Sequence, residues 1–196
     1  MIRIIAGEFK GRPLVTPPGS RSRPTGSRAR EGMFDLLGDL VEGARVLDLY
    51  AGSGALGLEA LSRGSSRALF VDSWKEAAGA IRENIDRLGL ASRAAVRRGE
   101  VVSLLRAKRS SVPPFDLIFA DPPYRFHEPG GEGEKLLELL DGCVMVAPEA
   151  VAVVEYPRKL ELSATPNGWR EAVRRRYGAE GVVIYRRIPR SGGGVA

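Results

Sequence analysis

An α/β fold, with a mostly parallel sheet covered by helices on both faces, is predicted by three features of this 196-residue sequence. From residue 45 onward, short apolar runs alternate with helical stretches, the pattern of a parallel sheet with crossover helices. The runs are nearly continuous in Val, Ile, Leu and Phe, as strands buried on both faces are. The last two runs fit a closing antiparallel pair, which brings the sheet to seven strands.

Before the sheet, "IRIIAG" and "RPLVTP" read as two short strands joined through "EFKG", a small β-hairpin. A loop rich in Pro, Gly, Ser and Arg follows. "REGMFDLLGDLV" places Met33, Leu36, Leu37 and Leu40 at the i, i+3, i+4, i+7 spacing of an amphipathic helix, with Ser27 as its N-cap. The core then reads strand "RVLDLY", helix "ALGLEALSRG", strand "RALFVD", helix "KEAAGAIRENIDRLGL", strand "AAVRRG", helix "EVVSLLRAK", strand "FDLIFAD", helix "GEKLLELLDG" and strand "AVAVVEY". "WREAVRRRYG" and "GVVIYRR" are the closing pair. The organisation expected is an extension over 1–40, a core domain over 41–190 and a disordered tail over 191–196.

Composition narrows the class. Hydrophobic residues make up 43% and charged residues 28%, ordinary for a globular domain. No apolar run reaches the eighteen or so residues of a membrane span, and "MIRIIAGEFKGR" lacks a signal-peptide layout. Cys143 is the single cysteine and His127 the single histidine. No internal disulfide can form, a cytoplasmic setting is expected, and too few soft ligands exist for a zinc site, so no metal is expected, with carboxylate-bound magnesium left open; a monomer is the default. Charge is unevenly spread: +6 over residues 1–30, −6 over 31–156 and +6 over 157–196. Basic flanks around an acidic middle point to a polyanion partner. The "RRR" at 174–176 either adds to that patch or lies on an exposed edge strand.

Two motifs carry chemistry. In "VLDLYAGSGALG", Gly52, Gly54 and Gly57 form G-x-G-x-x-G between a strand and a helix, the context of a nucleotide-binding turn. Asp72 ends the next strand twenty residues after Gly52, where a carboxylate can accept two hydrogen bonds from a ribose. NAD and S-adenosylmethionine both offer one. Asp48 favours the latter, because a carboxylate at this strand end repels a pyrophosphate and attracts an ammonium group. The second motif is "DPPYRF" at 121–126. Two prolines hold the backbone still and delete two donors, leaving a carboxylate, a free carbonyl and a ring.

Together, "VLDLYAGSGALGLEAL" and "DPPY" resemble the Rossmann-like class I methyltransferases that act on exocyclic amino groups of nucleobases. "IRIIAGEFKGRPL" with "RPTGSRAREGMFDLL" is similar to the bacterial family of small-subunit rRNA guanine-N2 methyltransferases, which modify guanine 966 of 16S rRNA. The similarity runs from about residue 2 to residue 187.

The resemblance implies S-adenosylmethionine as cofactor, bound by Asp48, Ala51, Gly52, Ser53, Gly54, Gly57, Asp72, Ser73, Glu100, Val101 and Asp121. It implies a base amino group held by the Asp121 side chain and the Pro122 carbonyl, with Tyr124 stacked on the base. It implies an RNA-facing surface of Arg3, Lys10, Arg12, Arg21, Arg23, Arg28 and Arg30, joined by Tyr124 and Arg125. The partner implied is 16S rRNA, within an assembled or assembling small subunit. The chain departs from the family at "VDSW", where Trp74 replaces a second acid, and at Glu100, where Asp is common. Rival readings are a DNA adenine-N6 methyltransferase, a nicotinamide-dependent oxidoreductase and a non-catalytic rRNA-binding assembly factor.

Overall fold

The computed structural model describes residues 1–19, 26–123, 135–157, 165–178 and 180–189. Two short strands, β1 (Ile2–Arg3) and β2 (Pro13–Leu14), pair antiparallel with Ile2 opposite Leu14. They are shorter than the sequence suggests. Past Arg3, the Ile5 and Ala6 N–H groups donate to a carboxylate, Glu59, instead of to a neighbouring strand.

Helix α1 (Ser27–Leu37) starts one residue earlier than the capping pattern suggests. Gly26, not Ser27, stands at the N-cap, and no side chain caps the helix. Its buried face is Ala29, Arg30, Met33, Phe34 and Leu37. Leu36 and Leu40 of the expected stripe are 36% and 39% exposed. The helix stops at Gly38 and a 3-10 turn, Gly38–Leu40, follows, so Leu40 no longer projects with the helical period.

The remaining elements are β3 (Arg45–Leu49), α2 (Ala55–Ser62), β4 (Arg67–Asp72), α3 (Lys75–Leu88), β5 (Ala94–Arg98), α4 (Val101–Leu105), β6 (Phe115–Ala120), α5 (Leu136–Asp141), β7 (Val146–Pro157), β8 (Trp169–Tyr177) and β9 (Glu180–Arg187). They build the expected seven-stranded sheet in the order β5-β4-β3-β6-β7-β9-β8. Pairing from β5 through β7 is parallel, and β9 is antiparallel to both of its neighbours.

Side chains alternate across the sheet, so each central strand feeds two cores. Val46, Phe70, Phe119 and Val153 pack on one face with residues of α1, α2 and α3. Leu47, Leu49, Ile118 and Val154 pack on the other with α4 and α5. Phe34 meets Phe119 with ring centroids 5.5 Å apart. Burying each such ring stabilises the fold by about 2–3 kcal/mol. Cys143 is buried in the second core, where desolvation raises its thiol pKa. No helix among the described residues is long and apolar enough to cross a membrane.

Candidate active site

Strand register sets three chain exits side by side. Leu49 of β3 is level with Val71 of β4 and with Ala120 of β6. Asp72, Tyr50 and Asp121 therefore stand in one row at the carboxyl edge of the sheet. At ~4.8 Å per strand, the backbones of Asp72 and Asp121 are about 10 Å apart. The chain leaves β3 toward β4 on one side, while β6 pairs on the other. Open α/β sheets bind ligands in the crevice at such a reversal.

Tyr50 turns the chain off β3 with φ 57°, the one non-glycine residue with positive φ among those described. That backbone costs about 1–3 kcal/mol and is retained where surrounding structure demands it. The turn then folds over the strand ends: Ala51 N–H donates to the Val71 carbonyl at 3.2 Å, and Gly54 N–H to the Ala51 carbonyl at 2.7 Å. Gly52 (φ 54°) and Gly54 (φ 76°) supply left-handed backbone that side-chain-bearing residues resist. On the Cβ side of Gly52 nothing lies nearer than the Tyr50 oxygen at 4.0 Å. The backbone is thus open to a ligand there.

Asp72 is half-buried and braces this turn. Its Oδ2 accepts the Gly52 N–H and its Oδ1 the Trp74 N–H, each at 2.9 Å. Each oxygen keeps capacity for one more donor. Gly99 N–H donates to the Asp72 carbonyl at 3.0 Å, which sets the β5–α4 turn beside the same strand end. In that turn Glu100 is exposed and makes no cap to α4, and Val101 is buried. Ser73 is exposed, and Ser53 and Trp74 are half-buried.

Asp48 lies beneath the turn, on the face that packs α2. It is 2% exposed, and its Oδ2 accepts the Gly57 N–H at 2.9 Å. Burial pushes its carboxyl up to about 8; the Gly57 bond opposes the rise, and the charges of Asp72 and Asp121 add to it. Gly57 is where helix and strand touch: a Cβ there would overlap the Phe70 ring and stand 3.0 Å from Asp48 Oδ2. Gly57→Ala is expected to destabilise the chain by about 1–3 kcal/mol through overpacking. Thermal melts would check this, and an unchanged midpoint would mean α2 shifts freely.

Asp121 follows β6, half-buried, with Pro122 buried behind it. Burial first, and then the negative charge of Glu180, push its carboxyl up to about 7. Tyr124, Arg125 and His127 lie outside the described residues.

The basic arm divides. Arg3, Lys10, Arg12 and Arg28 are exposed, and Arg3 Nη1 donates to the Gly11 carbonyl at 2.9 Å, bracing the hairpin. Arg21 and Arg23 lie outside the described residues. Arg30 corrects the expectation: it is 2% exposed and cannot meet RNA from the surface. Its Nη2 donates to the Arg3 carbonyl at 2.6 Å, and its Nε stands 4.0 Å from Glu59 Oε2. Desolvation lowers its pKa, while the charges of Glu59 and Glu155 hold it up. Glu155, unassigned from sequence, is thereby a buried neighbour in this charge cluster.

Glu59 and Asn84 escaped the sequence reading. Glu59 is 0% exposed and accepts from Ile5 N–H (2.7 Å), Ala6 N–H (2.9 Å) and Arg63 Nε (2.8 Å). Its signal was an acid inside the otherwise apolar "ALGLEALS". Asn84 sits on the buried face of α3 with Ile81, Ile85 and Leu88. It accepts the Val15 N–H at 2.7 Å and donates to the carbonyls of Val15 (3.0 Å) and Ser53 (3.2 Å). One amide thus joins the N-terminal segment to the glycine turn.

A family described as "Conserved hypothetical protein 95" matches residues 2–186. The chain belongs to that family. It is 36% identical over 186 residues to the putative rRNA methyltransferase YlbH of Bacillus subtilis, covering 95% of this chain and 99% of that protein. It is 36% identical over 168 residues to ribosomal RNA small subunit methyltransferase D of Escherichia coli, covering 86% and 81% respectively. The solved structure of the putative methyltransferase yhhF from Escherichia coli superposes with a TM-score of 0.84 at 32% identity, covering 96% of this chain and 99% of that one. The chain is a methyltransferase.

Proposed function

We propose that the chain transfers a methyl group from S-adenosylmethionine to the exocyclic N2 of a guanine, guanine 966, in 16S rRNA of the small ribosomal subunit, in the cytoplasm. The observation that supports this reading most is the row of strand ends, in which the backbones of Asp121 and Asp72 lie about 10 Å apart across an open glycine turn. Two of the relatives named above, a putative rRNA methyltransferase and a ribosomal RNA small subunit methyltransferase, support the substrate class.

The residues present fit the cofactor. Spare acceptor capacity on Asp72 suits ribose hydroxyls, the open side of Gly52 admits close backbone approach, and two carboxyls with raised pKa favour a cation. S-adenosylmethionine supplies an activated methyl on a sulfonium, so no covalent enzyme intermediate is required. The amino group of guanine is a weak nucleophile because its lone pair is shared with the ring. Acceptors on both of its N–H bonds, the Asp121 carboxylate and the Pro122 carbonyl, favour the pyramidal form that attacks. Pro123 adds no competing donor. The base must leave its stack to enter, and an aromatic ring at Tyr124 would hold it by about 1–3 kcal/mol.

Charge linkage gives a test of the cofactor site. Burial retains protons on Asp48 up to about 8 and on Asp121 up to about 7. A cationic ligand prefers the ionised carboxylates, so its binding releases protons. Affinity for S-adenosylmethionine is expected to rise from about pH 6 to about pH 8, by at most about tenfold per unit for each proton released. Calorimetry near pH 7 in buffers of different ionisation enthalpy counts those protons, and a count of zero would contradict the linkage.

The function is tested by offering labelled cofactor with undermodified small subunits, naked 16S rRNA and duplex DNA. N2-methylguanosine in digests, strongest with subunits, is expected. Label in DNA adenine, or none in any acceptor, would overturn the reading.

A further inference from the structure

β8 is the outer strand of the sheet and reads "WREAVRRRY". Edge strands often carry charge to discourage pairing with another chain. Here three arginines are consecutive at one end. Arg174 is engaged: its Nε and Nη2 donate to the Glu171 carboxylate at 3.0 and 2.6 Å, and its guanidinium lies 5.6 Å from the Tyr156 ring centroid. Arg175 and Arg176 are exposed and have no carboxylate partner among the described residues. Arg175 donates one bond, to the Arg174 carbonyl at 3.0 Å, which leaves most of its donors to solvent.

Register places this end at the site. Ala120 is level with Val154, so Asp121 is level with Glu155. Glu155 pairs with Val182, and Val182 with Arg175. Asp121 and Arg175 therefore share a row, three strand spacings or about 14 Å apart. Two antiparallel steps make β8 run with β7, so its arginine end lies on the same carboxyl edge as the strand ends described above. The arm meets it there. Tyr177 fills the space beside Gly32 of α1, where a Cβ would come within 2.5 Å of its Oη. The Gly26 N–H, two residues before exposed Arg28, donates to Glu180 Oε2 at 3.5 Å. Arg28 and the β8 arginines thus flank one turn. At ~3.4 Å per stacked nucleotide, about 14 Å spans roughly four nucleotides, and fewer when the strand is extended.

We propose that the carboxyl end of β8 is a second RNA-contact surface, in which Arg175 and Arg176 hold backbone phosphates of the strand that leads to the target nucleotide. This rests on the reading of RNA as substrate. The two guanidiniums fix the strand's path, while Asp121 and Pro122 act on the base.

The test is the full chain carrying R175Q and R176Q, compared with wild type and with the charge-conserving pair R175K and R176K. Affinity for naked 16S rRNA is measured across salt concentrations, alongside cofactor affinity and turnover at saturating RNA. The glutamine pair is expected to bind RNA about tenfold more weakly, with a log–log salt slope shallower by about 1.4, two contacts at ~0.7 each for a single strand. The lysine pair keeps the slope, and cofactor affinity stays at the wild-type value in both pairs. Unchanged RNA affinity and slope in an active glutamine variant would overturn the proposal. Weaker binding to whole subunits with naked rRNA affinity intact would also overturn it, in favour of a ribosomal protein contact. Wild-type chain that neither binds nor methylates RNA would overturn the substrate reading itself, and this surface with it.

Discussion

Replacing Asp121 by alanine is expected to lower methyl transfer by about 10²–10³-fold while RNA binding is retained. The range is that of removing one preorganised polar group from a site that stabilises developing charge. The side chain stands at the end of β6 beside two prolines, so little backbone rearrangement is available to replace it. Its pKa provides a second signature. In the proposed role the acceptor works ionised, and burial with the charge of Glu180 raises its carboxyl to about 7. The wild-type rate should therefore fall as pH drops below about 7, as the carboxylate takes up its proton. Asp121→Asn cannot titrate and should lose that limb of the profile, along with most of its activity. Single-turnover kinetics with saturating RNA would read both effects. Full activity in Asp121→Ala, or an acid limb that persists in Asp121→Asn, would remove Asp121 from the chemistry.

The other large effect is structural. Glu59→Ala is expected to destabilise the chain by about 3–5 kcal/mol, the range for removing one partner of a buried ion pair. The carboxylate is wholly buried and binds two backbone N–H groups of the N-terminal segment besides Arg63. Its removal leaves Arg30, also buried, without its nearest negative charge. Denaturant unfolding measures the loss, and amide exchange at Ile5 and Ala6 shows whether the segment has lifted. Glu59→Gln, which keeps an acceptor for one N–H, should fall between. A loss under about 1 kcal/mol with both amides still protected would mean that Ser62 and Asn84 hold the segment by themselves. Ser62 makes that alternative concrete, since it accepts the Phe9 N–H and donates to the Ala6 carbonyl.

Much of this was legible in the chain because its causes are local. A run such as "FDLIFA" buries both faces wherever it lands in a parallel sheet. The glycine turn and "DPP" are dictated by backbone conformations that few other residues permit. Setting Asp72 and Asp121 at the carboxyl ends of their strands needed only the alternation of strands and helices, and α/β sheets bind ligands at that edge. Smaller departures also had local causes: the stop at Gly38 swung Leu40 out of its stripe, and Gly26 took the cap from Ser27.

Burial of charge was different. Arg30 carries the same side chain as exposed Arg28 two residues earlier, and only its partners tell them apart. Those partners are Arg3 and Glu59, 27 and 29 positions away. Asn84 reaches across 69 positions to Val15 and 31 to Ser53. Only strand pairing sets Arg175 of the "RRR" level with Asp121. The sequence by itself determined the element types, the sheet class and the two motifs, because backbone sterics and hydrophobic period act within a few residues. The tertiary structure alone decided which arginine is structural and which faces outward, because a charge is buried or free according to groups that only the folded chain brings within hydrogen-bonding distance.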